Sequence, residues 1–248
     1  MHRGSPGVSL AAAPLAATDA TCGLSRTRRS GGRLILESMK TVELVRCVRF
    51  PCLDVDHGRY VVPEVDVDPD LVDVVMISEA APARLEDWYY AGPAALFAET
   101  TVQAFRDAGE DVDSIADIVD LGVYLTTAVK CGKTGYGVAT ETVKTCSLLL
   151  DAELDLFPSA QVLMLMGDVA IKAVNAIARR RGEPRVIPAG STYKLRGGDY
   201  RFRGMKVFPS YLQAGPSFFI EKSKRRMIAE DIAAALAHAR SQPAHRAL

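Results

Sequence analysis

Apolar runs alternate with segments of helical spacing along the chain from about residue 70 onward. Four runs rich in apolar and β-branched residues are typical of strands that are buried on both faces of a sheet. They lie at 71–78, 118–129, 160–167 and in the second half of 191–212, where a β-hairpin is predicted to turn at Gly197–Gly198. This alternation predicts an α/β fold with a mostly parallel sheet and helices on both of its faces.

The segments between these runs have the apolar spacing of amphipathic helices, at 93–109, 140–157, 168–182 and 221–239. Gly109 is a predicted C-cap and Thr140 a predicted N-cap. Because ligands bind beyond the carboxyl ends of the strands in such sheets, functional residues are expected at 78–87, 126–131, 167–168 and 210–216.

The two ends of the chain lack this periodicity. Residues 1–38 are rich in Ala, Gly, Ser and Arg, and they also resemble an Arg-rich transit peptide. Such a segment buries too little apolar surface to offset the entropy lost on ordering. We therefore expect a disordered tail there, or translation that begins at Met39. One folded domain is predicted at 39–240, with a flexible tail at 241–248.

Composition and charge do not indicate which ligand the protein binds or which reaction it catalyses. The 248 residues are 48% hydrophobic and 24% charged, which is ordinary for a globular protein, and no apolar run reaches the ~18 residues that span a bilayer. The net charge of zero is unevenly distributed: residues 1–170 hold 14 Lys and Arg against 25 Asp and Glu, and residues 171–248 hold 16 against 5. A basic C-terminal face suits nucleic acid and equally suits a solvated surface.

Four of the five cysteines form two pairs, Cys47 with Cys52 and Cys131 with Cys146, and Cys22 is expected to lie outside the fold. Disulfides are disfavoured because the chain shows no export signal. Four thiolates can hold a tetrahedral zinc ion or an iron–sulfur cluster, and buried cysteines can also act as small hydrophobic residues. Spacing alone indicates a metal and does not choose which.

Four motifs in order resemble the iron–sulfur branch of the uracil-DNA glycosylase superfamily, its families four and five. The first is "CVRFPCLDV…VVMISEAAPARLED", which carries two cysteines and a strand ending like the family's G-E-A-P-G. "LTTAVKC" resembles T-N-x-V-K-C, with the fourth cysteine in the next helix. "LMLMGDVAIKAV" and "FPSYLQAGPSFF" resemble the third and last motifs. The resemblance runs from about Arg46 to Ala234.

The resemblance implies a three-layer α/β/α sandwich with a central four-stranded, mostly parallel sheet. It also implies a 4Fe–4S cluster held by the four paired cysteines, in a mainly structural role that pins DNA-contacting loops. The implied reaction is hydrolysis of the N-glycosidic bond of a base flipped out of DNA. Glu79 aligns with the motif carboxylate, which stabilises charge on the sugar or activates water. Asp87 is the second candidate for this catalytic carboxylate.

Two positions depart from the family pattern. Thr127 stands where uracil-specific members have an asparagine that binds the pyrimidine edge, and one hydroxyl cannot replace a bidentate amide. Leu212 stands where they have a histidine that assists the leaving base. Gln213 and Ser210 are neutral donors nearby. We therefore expect excision of another lesion, such as a deaminated purine or an alkylated base.

Further base and DNA contacts are expected near the motifs. Tyr89 and Tyr90 follow the first motif where family members stack an aromatic ring on the flipped base, although either can equally be a core tyrosine. Leu212 or Phe218 is a candidate wedge in the emptied stack. The expected phosphate contacts are Lys130, Lys133, Lys222, Lys224, Arg225 and Arg226.

Two other functions stay open at this point. The first is a non-catalytic iron–sulfur protein that binds DNA or senses damage, and the second is a zinc-containing α/β hydrolase that acts on nucleotides. For the glycosylase we expect a monomer in the cytoplasm, associated with the nucleoid through DNA that carries a damaged base and without a membrane partner.

Overall fold

The computed structural model describes residues 39–242, and the predicted apolar runs form the central strands of its sheet. In chain order the elements are β1 (Met39–Lys40), α1 (Thr41–Leu44), β2 (Val55–Asp56), β3 (Asp66–Val67), β4 (Val74–Ala81), α2 (Leu96–Asp107), α3 (Ile115–Asp120), β5 (Val123–Lys133), α4 (Thr140–Leu154), β6 (Val162–Met166), α5 (Asp168–Arg180), α6 (Thr192–Leu195), β7 (Tyr200–Phe202), β8 (Met205–Ser210), α7 (Ser217–Ile220) and α8 (Lys222–Ser241).

The main sheet has the strand order β2-β5-β4-β6-β8-β7. Strands β5, β4, β6 and β8 run parallel, and the short edge strands β2 and β7 are antiparallel to their neighbours. Strands β1 and β3 form a separate two-stranded sheet. The predicted four-stranded parallel sheet is confirmed as the centre of the fold, and the two edge strands are additional.

Alternate residues of β4 point to opposite faces of the sheet and enter two separate apolar cores. Val75 and Ile77 pack in the core that includes the buried residues of α4 and α5. Val74 and Met76 pack in the core that includes those of α2, α3 and α8. Helices therefore cover both faces, and the expected three-layer α/β/α arrangement is confirmed.

The strand predicted at 118–129 begins later than expected. Its first residues belong to α3, whose capping box joins Ser114 and Asp117. Gly122, with a φ of 81°, ends this turn and leads into β5. The apolar residues of α3 and β5 are contiguous in sequence, so the helix signal was hidden in an apparently continuous run.

The predicted hairpin turns at a different place. Residues Thr192–Leu195 are helical, and the two-residue turn between β7 and β8 is Arg203–Gly204, with φ values of 51° and 82°. Positive φ at both residues is the backbone of a type I′ turn, which suits the twist of two antiparallel strands. Gly197–Gly198 lies before the hairpin.

Of the two predicted helix caps, the one at Gly109 is confirmed and the one at Thr140 is wrong. Gly109, with a φ of 95°, follows the end of α2 as expected of a C-terminal glycine. Thr140 is the first residue of α4, and the N-cap position is occupied by Ala139, whose N–H is bound by Asp54. The short side chain of Ala139 cannot cap, so a residue distant in sequence does so.

Within residues 39–242 no helix has both the length and the apolar character needed to cross a bilayer. The tail predicted at 1–38 lies outside the described residues, as does most of the tail predicted at 241–248. Ser241, the first residue of the predicted C-terminal tail, is instead the last residue of α8.

Candidate functional site

Polar residues gather where the parallel strands end, at what is called here the carboxyl edge of the sheet. Ser78 of β4 pairs in register with Thr127 of β5, and Met166 of β6 pairs with Ser210 of β8. Glu79 follows Ser78 in the same strand. The topology thus places residues from all four motifs at one edge, where α/β sheets bind ligands.

Glu79 lies between a lysine and the start of a helix. Its Oε2 is 3.6 Å from Lys133 Nζ, and 20% of its side chain is exposed. A Cβ added to Gly167 would stand 2.7 Å from Glu79 Oε1, so the carboxylate rests against the backbone that leads into α5. A helix N-terminus favours negative charge. Glu79 is therefore a partly exposed carboxylate. Its negative charge is stabilised by Lys133 on one side and by the N-terminus of α5 on the other.

Ser78, Tyr89 and Gln213 form a closed ring of buried hydrogen bonds. Tyr89 Oη lies 2.5 Å from Ser78 Oγ, Ser78 Oγ donates to Gln213 Oε1 at 3.2 Å, and Gln213 Nε2 donates to Tyr89 Oη at 3.2 Å. Burial raises the pKa of Tyr89 far above its ordinary value. Tyr89 and Gln213, both expected to bind the base, thus use their polar groups inside the core.

Thr127 and Tyr90, the other two residues expected to bind the base, are also bound within the protein. Thr127 Oγ1 donates to Val129 O at 3.0 Å, and Thr127 is fully buried. Tyr90 Oη donates to Leu125 O at 3.0 Å and accepts from Leu125 N at 3.3 Å. These contacts fix the ring of Tyr90 against β5, so only its ring remains available for a ligand.

Asp87, the second candidate for the catalytic carboxylate, is paired with Arg84 on a short 3₁₀ turn. Arg84 Nε donates to Asp87 Oδ2 at 2.9 Å, and Arg84 Nη2 donates to Asp87 Oδ1 at 3.0 Å. This bidentate contact lowers the pKa of Asp87. Glu79, which has the freer carboxylate, is the better candidate for catalysis.

A cavity of about 830 Å³ lies beside α2 and α3. Tyr89 and Tyr90 line one wall, but Glu79 and Gln213 are not part of the lining. Its charged lining is mostly acidic and consists of Glu64, Asp66, Glu99, Asp113, Asp120 and Arg106. Carboxylates repel DNA phosphates, so we assign the chemistry to the carboxyl edge and not to this cavity.

The four paired cysteines surround one cavity of about 220 Å³. Cys131 and Cys146 are buried, whereas Cys47 and Cys52 are half-buried. Lys130 N donates to Cys146 Sγ at 3.2 Å. The two sequence pairs, which are distant along the chain, are therefore close in space and face the same void.

The thiols affect one another electrostatically. Burial, followed by the charges of the other three thiols, raises the pKa of Cys131 to about 12. Burial also raises the pKa of Cys146, and Lys130 partly offsets this. Both groups are therefore neutral thiols near neutral pH, and a bound metal would favour their thiolate forms.

Within residues 39–242, no group of three or more His, Cys, Asp or Glu side chains is arranged to hold a single metal ion.

The structure corrects the expectation that Lys130 contacts DNA phosphate, because Lys130 is fully buried. Its Nζ donates to Thr126 Oγ1 at 2.6 Å, to Thr127 O at 2.7 Å and to Glu153 Oε2. Glu153 Oε1 in turn accepts from Tyr124 at 2.7 Å and from Thr126 at 2.8 Å. Lys130 joins β5 to α4 and cannot reach a ligand.

Most of the basic residues at the start of α8 lie close to an acidic side chain, and among residues 39–242 no such partner is found for Lys222. Arg225 pairs with Asp107 of α2 and lies over the Phe218 ring, 5.2 Å from its centroid. Lys224 pairs with Glu221 and lies over the Tyr211 ring. Arg226 is 3.6 Å from Glu230. Lys222 is exposed and has no ion-pair partner in the described part of the chain, so it is the most available cation.

Leu212 and Phe218, the two candidate wedge residues predicted from the sequence, are not exposed side chains. Phe218 is buried, and Leu212 is half-buried against the core on the α2 face. The expectation for Phe218 is therefore wrong. The exposed apolar side chains of α7 are Phe219 and Ile220, and Ile220 is 78% exposed.

A loop between β5 and α4 was missed by the sequence analysis. Asp54 holds both of its ends: Thr134 Oγ1 donates to Asp54 O at 2.9 Å, and Ala139 N donates to Asp54 Oδ2 at 2.6 Å. At its tip Tyr136 is fully exposed. The signal in the sequence is the short run Gly-Tyr-Gly, which marks a turn that carries an aromatic residue.

Comparison with known proteins gives two matches. The family model for the uracil DNA glycosylase superfamily matches residues 66–233. A protein from Thermus thermophilus described as a type-5 uracil-DNA glycosylase is 30% identical over 94 residues, which are 38% of this chain and 43% of that protein. The chain thus matches less than half the length of this relative, whereas the family model covers most of the sheet and the helices around it.

Proposed function

Because this chain belongs to the uracil DNA glycosylase superfamily, we propose that it is a DNA glycosylase that removes a damaged or deaminated base. The proposal rests mainly on one observation, the position of Glu79 at the carboxyl edge. There the carboxylate is partly exposed, next to Lys133 and the start of α5. The proposed partner is DNA in which the target base is extruded from the stack.

In the proposed reaction, Glu79 acts on the sugar side of the N-glycosidic bond. As this bond breaks, its electron pair leaves with the base and positive charge develops on the sugar. The Glu79 carboxylate stabilises that charge or accepts a proton from the water that attacks the sugar. Lys133 orients the carboxylate and balances its charge while the site is empty.

The base specificity is proposed to differ from uracil. Thr127 has its hydroxyl bound to Val129 O, and Gln213 has its amide bound to Ser78 and Tyr89. Leu212 supplies no proton to a leaving base, and such a lost donor weakens stabilisation by about 3 kcal/mol. The proposed target is therefore a deaminated purine or an alkylated base.

We also propose that Cys47, Cys52, Cys131 and Cys146 hold a 4Fe–4S cluster. The single cavity that all four cysteines line supports it. When bound, the cluster supplies positive charge and ties the segment around Cys47 and Cys52 to β5 and α4. The Cys131→Ser variant should lose iron and acid-labile sulfide together, whereas a zinc site would show zinc and no sulfide.

A second candidate function is a non-catalytic protein that binds DNA at damaged sites. It is favoured by the internal hydrogen bonds of Thr127, Tyr89 and Gln213, which leave few free groups to read a base. Its DNA-binding surface would be the same as that of the glycosylase.

An excision assay on oligonucleotides that contain uracil, hypoxanthine, xanthine or an alkylated base separates the two functions. The glycosylase should release at least one base, and Glu79→Gln should lower that rate by about 10²- to 10⁴-fold without changing the thermal unfolding midpoint. Intact substrates throughout, together with tight binding to the same DNA, would instead support the non-catalytic function.

A further inference from the structure

We propose that Tyr136 stacks on a nucleobase of the bound DNA, next to the nucleotide on which Glu79 acts. This proposal rests on the proposed function, because it takes the carboxyl edge as the DNA-binding face. Tyr136 is fully exposed, and its ring has no aromatic partner among the described residues. A large exposed ring at this edge is a suitable platform for a base.

Lys133 is close to both Glu79 and Tyr136. Lys133 Nζ is 3.6 Å from Glu79 Oε2 and 5.9 Å from the centre of the Tyr136 ring. One ammonium group thus neighbours both the carboxylate and the ring. A nucleotide whose sugar contacts Glu79 would place its neighbour in the strand within reach of the ring, with Lys133 close to the phosphate between them.

The loop that carries Tyr136 is fixed at its base and open at its tip. Asp54 binds Thr134 at one end and Ala139 at the other, and it also accepts from Thr142 Oγ1 in α4. At the tip, Gly135 and Gly137 have no atoms within 4 Å of where a Cβ would stand. The ends of the loop are therefore anchored, and the ring at its tip has free space around it for a base.

Asp54 also connects this loop to the cysteines, since it comes two residues after Cys52 in the same segment. The segment that lines the thiol cavity is therefore the one that holds the Tyr136 loop in place. Ordering of this segment by a bound cluster would set the position of Tyr136 at the carboxyl edge.

The type of contact follows from the residue. A tyrosine ring between two glycines has no neighbouring amide or carboxylate side chain to read a base edge, so it contributes stacking without sequence preference. Phenylalanine should replace it, and alanine should not. Stacking of this kind changes binding by about 5- to 150-fold per base.

The test is binding of the full chain to a duplex that contains a stable tetrahydrofuran abasic-site analogue, with 2-aminopurine placed next to that site. Tyr136→Ala should weaken the Kd by at least 5-fold and change the 2-aminopurine fluorescence, and Tyr136→Phe should stay within about 2-fold of the unsubstituted chain. Leu71→Ala is the matched control, because it shortens an exposed apolar side chain at the amino end of β4.

The outcomes separate this proposal from the proposed function. If Tyr136→Ala binds like the unsubstituted chain, or if Leu71→Ala weakens binding equally, stacking by Tyr136 is wrong even when excision is observed. If Tyr136→Ala and Tyr136→Phe behave as expected but no substrate is cleaved, the stacking role stands and the glycosylase activity fails. If the chain does not bind this duplex at all, stacking by Tyr136 is wrong, and the excision assay decides the proposed function separately.

Discussion

Gly167 lies directly against Glu79: a Cβ at Gly167 would stand 2.7 Å from Glu79 Oε1 and 3.0 Å from Glu79 Cγ. Gly167 also has a φ of 98°, in a region that other residues rarely adopt. Two features therefore require a glycine at this position: the positive φ of the backbone and the close approach of the Glu79 carboxylate. The position of Glu79 at the carboxyl edge depends on the absence of a side chain at Gly167.

Gly167→Ala should displace Glu79 and lower the excision rate by at least 10-fold, measured on the lesion that is removed fastest. It should also lower the free energy of unfolding by more than about 1 kcal/mol, because alanine is strained at positive φ. Gly182→Ala is the matched control for backbone strain, since Gly182 also has a positive φ, of 73°, but has open space where an alanine Cβ would stand. Unchanged excision in Gly167→Ala, with the same loss of stability in both variants, would contradict the steric role.

Lys130 and Glu153 should stabilise the fold only as a pair. Removal of one partner leaves the other charge buried, so Glu153→Leu or Lys130→Met alone should lower the free energy of unfolding by about 3–5 kcal/mol. The double variant should recover much of this loss, because an apolar pair of similar volume leaves no buried charge. Urea unfolding of the three variants measures the coupling.

Lys206→Met serves as the control for that cycle. Lys206 pairs with Asp199 at 2.6 Å, but the Asp199 side chain is largely exposed. Loss of such a surface pair should lower the free energy of unfolding by less than about 1 kcal/mol. Additive losses in the double variant of Lys130 and Glu153 would mean that the two charges are stabilised independently of each other.

The centre of the fold could be predicted from the sequence because its signals are local. Strands buried on both faces are rich in apolar residues, and β4, β5 and β6 each begin with an uninterrupted apolar run. The grouping of the four cysteines was expected from the resemblance of the motifs to the family, and spacing alone indicated only a metal. Glu79 followed from its place at the end of β4, although its role remains a proposal.

The features that could not be predicted depend on contacts between distant residues. Nothing near Lys130 in the sequence indicates burial, since its partner Glu153 lies two turns beyond Cys146 in α4. Gly197–Gly198 is the stronger local turn signal, but Arg203 at the observed turn is held by Asp151 and Asp155 from the end of α4. Asp54 likewise caps α4 from 85 residues away, in place of Thr140.

The ion pair of Asp107 and Arg225 should make stability depend on pH. Arg225 lowers the pKa of Asp107, so the pair stabilises the fold above the unfolded-state pKa of about 3.9 and loses this contribution as the pH falls through the lower folded-state pKa. Arg225→Met should therefore be less stable than the unsubstituted chain at pH 6, by up to about 1 kcal/mol, and the difference should shrink at pH 3.

Urea unfolding at the two pH values measures this difference. Arg226→Met is the control, because Arg226 is exposed and only 3.6 Å from Glu230 on the same helix. It should match the unsubstituted chain at both pH values. A difference for Arg225→Met that is as large at pH 3 as at pH 6 would show that Arg225 stabilises the fold through its contact with Phe218 and not through Asp107.

Lys222 should be the residue of α8 whose charge contributes most directly to DNA binding. It is exposed at the start of the helix, whereas Lys224 and Arg225 are already paired with Glu221 and Asp107. Each phosphate contact adds about 0.9 to the slope of log K against log salt concentration. Lys222→Ala should therefore reduce this slope by about one, and Arg225→Met should reduce it by less.

The measurement is the affinity for the tetrahydrofuran duplex at several salt concentrations. Arg179→Ala is the matched control, because Arg179 is also exposed but lies near the end of α5, at the opposite end of the sheet from the carboxyl edge. It removes the same charge, so any general effect of net charge appears in both variants. An equal reduction in slope for Arg179→Ala and Lys222→Ala would mean that the DNA responds to the charge of the whole chain and that α8 makes no specific phosphate contact.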